Sequence, residues 1–172
     1  MKRVMIIGGS GSGKSTLAVR LGEITGLPVI HIDPMYWKPG WVQRDAAETR
    51  ALVLEAAVRE AWVFEGNNSS SFPKRLARAD TLIFLDLSTP LRTWRVLKRS
   101  LKFYGQTRPD LAEGCPERFD WAFTKWVIGY RKRGRPAALA LVKAAPDHIE
   151  TIHLRTPRQV KAYLASVARR KD

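Results

Sequence analysis

The stretch Gly8-Gly9-Ser10-Gly11-Ser12-Gly13-Lys14-Ser15 constrains this chain more than any other, because it fulfils the pattern G-x-x-x-x-G-K-[ST] and joins two elements of different periodicity. Before it, Arg3 to Ile7 read as a short apolar strand. After it, Leu17, Ala18, Leu21 and Ile24 recur at helical spacing. A glycine-rich turn between strand and helix leaves several N–H groups free to point inward, and the helix adds its positive dipole end. The chemistry that suits such a cradle is a nucleotide's phosphates. Lys14 then reaches the β- and γ-phosphates, the Ser15 hydroxyl takes one place on Mg²⁺, and Thr16 serves the α-phosphate. The motif predicts that ATP or another triphosphate is bound, without naming a reaction.

Further apolar runs follow, each ending in a polar residue. Pro28 to Ile32 stops at Asp33-Pro34, Ala61 to Phe64 delivers Glu65-Gly66-Asn67-Asn68, Thr81 to Leu85 ends at Asp86, and Ile149 to Leu154 precedes Thr156-Pro157. Helical patterns fill the intervals, from Arg44 to Glu60, onward from Pro90, from Ala137 to Ala145, and after Pro157. About five parallel strands flanked by helices are therefore expected, an α/β three-layer sandwich of the P-loop NTPase kind in one domain over residues 1–172. Ligands of such sheets gather at the carboxyl ends of the strands.

That rule makes the strand-end residues candidates. Glu65 is expected on the magnesium side, opposite Ser15, since Mg²⁺ keeps waters and needs few carboxylates. Asp33 reads as a partner for an acceptor's hydroxyl or for a magnesium-bound water, or as a turn-forming Asp before proline. Trp37, in the aromatic stretch Met35 to Trp41, is placed either to stack on a flat acceptor or to pack the domain's own flank. Asn67 and Arg75 are expected at the acceptor, Arg75 on its phosphate.

Charge separates the two halves of the chain. Residues 1–86 carry 11 Lys/Arg against 9 Asp/Glu, while residues 87–172 carry 19 against 7, so the second half holds +12 of the net +14. Along the helix after Pro90, Arg92, Arg95, Arg99 and Lys102 share one face beside an apolar stripe of Leu91, Trp94, Leu97 and Leu101, with no acid between Arg92 and Arg108. From 103 to 135 the alternation breaks, and this segment reads as a basic helical lid hinged at Gly105 and Gly134. Lid arginines close on phosphates because guanidinium is a planar, permanently charged fork, which makes Arg108 and Arg131 catalytic candidates. Such a field attracts triphosphates and nucleic acid alike. Arg169-Arg170-Lys171 reads as a solvated tail. The single Cys115 precludes an internal disulfide, and without a long apolar stretch the chain is expected in the cytoplasm and not in a membrane.

The order of these motifs resembles the adenylate kinase-like nucleotide and small-molecule kinases. His31-Ile32-Asp33, Trp37-Lys38-Pro39-Gly40-Trp41, Glu65-Gly66-Asn67, Gly105 to Asp110 and Glu113-Gly114-Cys115-Pro116-Glu117 are more closely similar to the topology modulation (FlaR-related) P-loop proteins. The kinase resemblance implies an ATP-dependent phosphotransferase. It implies that Arg95 stacks on adenine, that Arg99 contacts phosphate, and that Thr156-Pro157 close the adenine pocket. The adenylate kinase sequence that holds AMP is absent between Asp33 and Glu60, so the acceptor is either a nucleoside monophosphate or another small hydroxylated compound. The other reading is a nucleic-acid-associated P-loop ATPase that acts on DNA topology.

Overall fold

The computed structural model describes residues 1–170, so Lys171 of the basic tail lies outside the described residues. In chain order the elements are β1 (Arg3–Gly8), α1 (Lys14–Thr25), β2 (Val29–His31), α2 (Asp33–Tyr36), β3 (Trp37–Lys38), β4 (Val42–Gln43), α3 (Ala46–Ala57), β5 (Trp62–Glu65), α4 (Phe72–Leu76), β6 (Thr81–Leu85), α5 (Thr89–Lys102), α6 (Trp121–Arg133), α7 (Arg135–Lys143), β7 (Glu150–Leu154) and α8 (Pro157–Arg169). Five strands form one parallel sheet in the order β2-β5-β1-β6-β7. β1, β5 and β6 are apolar and buried along almost their whole length because helices cover both faces. β2 and β7 are the edges.

Two cores sandwich the sheet. On one face Met5, Ile7, Phe64, Leu82 and Phe84 pack with Val53, Ala56 and Ala57 of α3, Phe72 and Leu76 of α4, and Ala138 of α7. On the other, Val4, Ile6, Val63, Ile83 and Leu85 pack with Leu17, Ala18 and Leu21 of α1 and Val167 of α8. Together with α5 and α6, which pack on each other beside the sheet, this is the α/β sandwich of P-loop NTPases.

Several local expectations shift. Met35 to Trp41 is no open loop: α2 runs into a small antiparallel hairpin of β3 and β4, with Trp37 opposite Gln43. Within 103–135, Glu117 stands outside any helix, its backbone bridging to Tyr104 and its N–H bonding to Gln106; α6 begins after Asp120, whose carboxylate accepts from Phe123 N–H at 3.0 Å. Gly134 sits in ordinary right-handed geometry at the α6–α7 junction, where a side chain would strike the Tyr130 ring. Its smallness serves close packing there, whereas Gly105 takes a left-handed turn at φ 74°.

α5 buries part of its basic stripe and exposes part of its apolar one. Trp94 and Leu101 are 62% and 77% exposed, while Arg92, Val96 and Ser100 are buried. The reason lies in what the two neighbours offer. Arg92 finds carbonyls in the glycine-rich loop and in α6, and Ser100 finds the buried carboxylate of Glu117.

Candidate phosphate and acceptor site

The turn from β1 into α1 is held open from behind. Gly9 abuts the Arg92 guanidinium and the Tyr130 ring so closely that any side chain would collide with both, and Gly11, at φ 78°, presses against the Arg92 carbonyl. Arg92 Nη1 donates to the Ser10 carbonyl at 3.3 Å, and Arg95 Nη1 to that of Ser12 at 3.4 Å. Asn67 clamps the first peptide group, accepting from Gly8 N–H at 3.1 Å and donating to its carbonyl at 2.7 Å. These contacts satisfy the carbonyls of Gly8, Ser10 and Ser12, and the loop's remaining amides can serve an anion. Lys14 is half-buried and makes no ion pair within 4.0 Å among the described residues. The Ser12 hydroxyl is buried and unpartnered.

Beside Ser15 lies a small acid cluster. The Ser15 hydroxyl donates to Glu65 Oε1 at 3.1 Å, and His31 Nδ1 meets the same oxygen at 2.7 Å. That hydrogen bond to Glu65 raises the His31 pKa against the opposing effect of burial. Burial alone would raise Asp110, yet the adjoining Arg108 guanidinium holds its carboxyl below the ordinary carboxylate range. Asp33 behaves in the opposite way. Burial, reinforced by the neighbouring Glu65 charge, pushes its pKa up to about 6 despite the attraction of Lys14.

One cleft of about 1730 Å³ joins these groups, lined among others by Lys14, Asp33, Trp37, Arg95, Arg99 and Pro157. The sheet order divides it. Toward β6 and β7 lie Arg95, Pro157, Val160, Lys161 and Leu164; toward β2 and β5 lie His31, Asp33, the hairpin aromatics and Thr49. Residues that could hold the triphosphate are Gly8 to Thr16. Ser15 and Glu65 suit Mg²⁺, an ion that is content with one or two protein oxygens beside substrate phosphates.

Four candidates move. Arg75 is fully buried, donating to the carbonyls of Gly66 at 2.9 Å and Phe64 at 3.0 Å with its guanidinium over the Phe64 ring, so it braces the β5 exit and cannot reach an acceptor. Arg131 is exposed and lines a separate recess of about 310 Å³ with Asp86 and Arg155. The helix turn explains this, since Phe123, Trp126, Tyr130 and Arg133 form the α6 stripe that faces the cleft and 131 falls on another side. Thr156 caps α8: its hydroxyl accepts from Gln159 N–H, its own N–H donates to Gln159, and its carbonyl accepts from Val160 N–H. Its polar groups are thus engaged in the cap, and Pro157 alone of that pair lines the cleft. Asn67 lines the cleft too, with its amide committed to Gly8.

Two of the arginines expected at phosphate, Arg99 and Arg108, are paired with carboxylates. Arg108 forks onto Asp110 at 2.7 Å and reaches Glu117 at 2.8 Å, while Arg99 pairs with Glu117 at 3.3 Å. The absence of acids between residues 92 and 108 hid this, because both partners follow Arg108 in the chain. Sequence reasoning also missed His31, although it stands two residues before Asp33 at the end of a strand.

The fold and the loop define the chain as a P-loop NTPase-fold protein. It is similar to shikimate kinase from Acinetobacter baumannii, solved in complex with shikimate (16% identity, 99% of this chain and 95% of that one, TM-score 0.59), and to shikimate kinase from Bacteroides thetaiotaomicron (17%, 98% and 97%, 0.59). A gluconokinase from Sinorhizobium meliloti 1021 is similar at 18% identity, covering 98% and 94%, with a TM-score of 0.54. No protein-family model matches the sequence, and no curated protein matches it. Among the described residues no helix is long and apolar enough to cross a membrane.

Proposed function

We propose that this protein is an ATP-dependent phosphotransferase that moves the γ-phosphate of MgATP to a hydroxyl of a small acceptor. The observation that carries the reading is the juxtaposition, in one cleft, of an unpaired Lys14 in an amide-lined loop, the Ser15–Glu65 pair, and Asp33 with its raised pKa. Kinases among the structural neighbours agree with it.

Each side chain then has a task. The loop amides and Lys14 bind the β- and γ-phosphates, and Arg95 with Pro157 borders the adenine. Ser15 and Glu65 would hold Mg²⁺, which when bound would supply neutralisation of the phosphate charge. His31 keeps Glu65 oriented. Asp33 accepts the acceptor's hydroxyl proton, for which a pKa near 6 suits a base that is ionised at neutral pH yet still basic. Segment 103–135 acts as the lid, and as it closes over the triphosphate Arg108 and the neighbouring Arg99 of α5 pass from their carboxylates to the nucleotide's own phosphates. A screen of ADP release from MgATP across nucleosides, nucleoside monophosphates and hydroxy acids, beside an acceptor-free control, tests the reading. Acceptor-dependent ADP release supports it, and equal release without acceptor refutes it.

A second reading rests on a different surface. Trp94, Lys98, Leu101 and Lys102 form an exposed aromatic and basic face of α5, the kind of surface a nucleic-acid-associated P-loop ATPase presents. Binding of that type weakens about 10³-fold or more between 50 and 200 mM salt where many phosphates are contacted, which distinguishes it from small-molecule kinase activity.

A further inference from the structure

The acceptor end of the cleft has a charge inventory unlike that of the nucleotide end. Three arginines that could greet an anion there have partners already. Arg75 is enclosed by carbonyls, Arg108 by Asp110 and Glu117, and Arg99 by Glu117. Lys38, at the hairpin, pairs with Glu48 at 3.0 Å. Arg118 has no ion-pair partner among the described residues, but it is exposed at the rim, 5.9 Å from the Trp41 ring centre. Inside the acceptor end stand Asp33 and Glu65, the latter bonded to His31. A phosphate or carboxylate brought there meets repulsion from Asp33 and finds the guanidinium groups of Arg75, Arg99 and Arg108 already engaged.

The walls have their own chemistry. Tyr36 and Trp37 stand edge to face at 5.0 Å, Trp37 and Trp41 at 5.4 Å, and Phe72 completes the lining. Right-angled rings of this kind present flat apolar faces to a planar guest. One polar group is held in reserve. Thr49, only 3% exposed on α3, lines the same cleft with its Oγ1 buried and lacking any hydrogen-bond partner. A buried hydroxyl left unsatisfied costs free energy that a matching donor or acceptor on a ligand recovers.

From the paired arginines, the aromatic corner and the unsatisfied Thr49 hydroxyl we infer that the acceptor is a neutral, hydroxyl-bearing compound built on a flat unsaturated ring, the chemistry of a nucleoside, and not a phosphorylated or carboxylated one. This rests on the phosphotransferase reading above. In the step it implies, the acceptor oxygen forms a bond to the γ-phosphorus as the bond from that phosphorus to the β,γ-bridging oxygen breaks. ADP leaves with the electron pair, and the hydroxyl proton passes to Asp33.

The full chain decides the matter in one series. MgATP binding is measured first by equilibrium dialysis, then product formation by mass spectrometry with five nucleosides, their 5′-monophosphates, gluconate and shikimate. The expected result is kcat/KM for at least one nucleoside about tenfold or more above every charged acceptor. Thr49→Val, nearly the same shape, is expected to raise the nucleoside KM about 3- to 10-fold, the worth of one hydrogen bond, with MgATP affinity unchanged. A monophosphate or hydroxy acid as the best acceptor overturns the inference while sparing the phosphotransferase reading. So does failure of every nucleoside to react although MgATP is bound, or a Thr49→Val variant whose nucleoside KM does not move. Failure to bind MgATP at all overturns both.

Discussion

The glycine-rich loop and the flap across from it are built by opposite means. The loop is contiguous in sequence, its shape fixed by glycine geometry, and its cation Lys14 lines the cleft with no ion pair among the described residues. The flap is held to α5 by ion pairs between residues far apart in sequence, with Glu117 receiving Arg108 of the flap and Arg99 and the Ser100 hydroxyl of α5. A pre-organised loop binds its ligand without rearrangement. A flap knotted by ion pairs must exchange partners, and it therefore lends itself to gating.

Four substitutions probe this contrast, beginning with the largest effect. Asp33→Asn is expected to lower acceptor-dependent turnover by about 10² to 10⁴, the range for losing a general base. In the parent protein kcat/KM should rise with pH through about 6, and the variant should lack that limb. The sign for stability is reversed. Because the folded pKa lies above the ordinary Asp value, the folded state holds its proton more tightly, and stability falls as pH rises from about 4 through about 6. Asp33→Asn should thus be more stable at pH 7.5 by about 1 to 2 kcal/mol, read from the denaturant midpoint. Retained turnover would remove Asp33 from the chemistry.

Arg75→Met tests the division between structural and ligand-facing arginines. Loss of a buried cation that satisfies two carbonyls should cost about 3 kcal/mol in chemical denaturation. Unchanged stability, with a raised acceptor KM, would restore Arg75 to the acceptor. Glu117→Gln should loosen the flap at a cost of about 1 to 2 kcal/mol, seen as faster amide hydrogen exchange over 103–120 and not in α1. Uniform exchange changes would show that the flap is no separate unit. Trp94→Ser should change stability by less than about 0.5 kcal/mol, because the ring is 62% exposed.

How much of this was legible beforehand follows from the range of the interactions. The β1–loop–α1 unit was readable because strand period, glycine spacing and helix period are local properties, and the five parallel strands followed from runs such as Thr81 to Leu85. The orientation of α5 was not, since it depends on carbonyls of Ser10 and Val127 far away in the chain accepting from Arg92. For the same reason Arg75 read as a ligand residue: nothing adjacent to it announces that the carbonyls of Phe64 and Gly66 converge on it. Within Arg131 to Arg133 the helical period alone singles out 133, once the α6 boundaries are known.

The account stands on Lys14 and its loop gripping a nucleotide's terminal phosphates. Isothermal titration of MgATP into the parent protein and into Lys14→Ala tests this most directly. The prediction is saturable one-to-one binding by the parent and an affinity weakened by about 100-fold in the variant, whose thermal unfolding is unchanged. Absence of binding by the parent, or equal affinity in both, would contradict it.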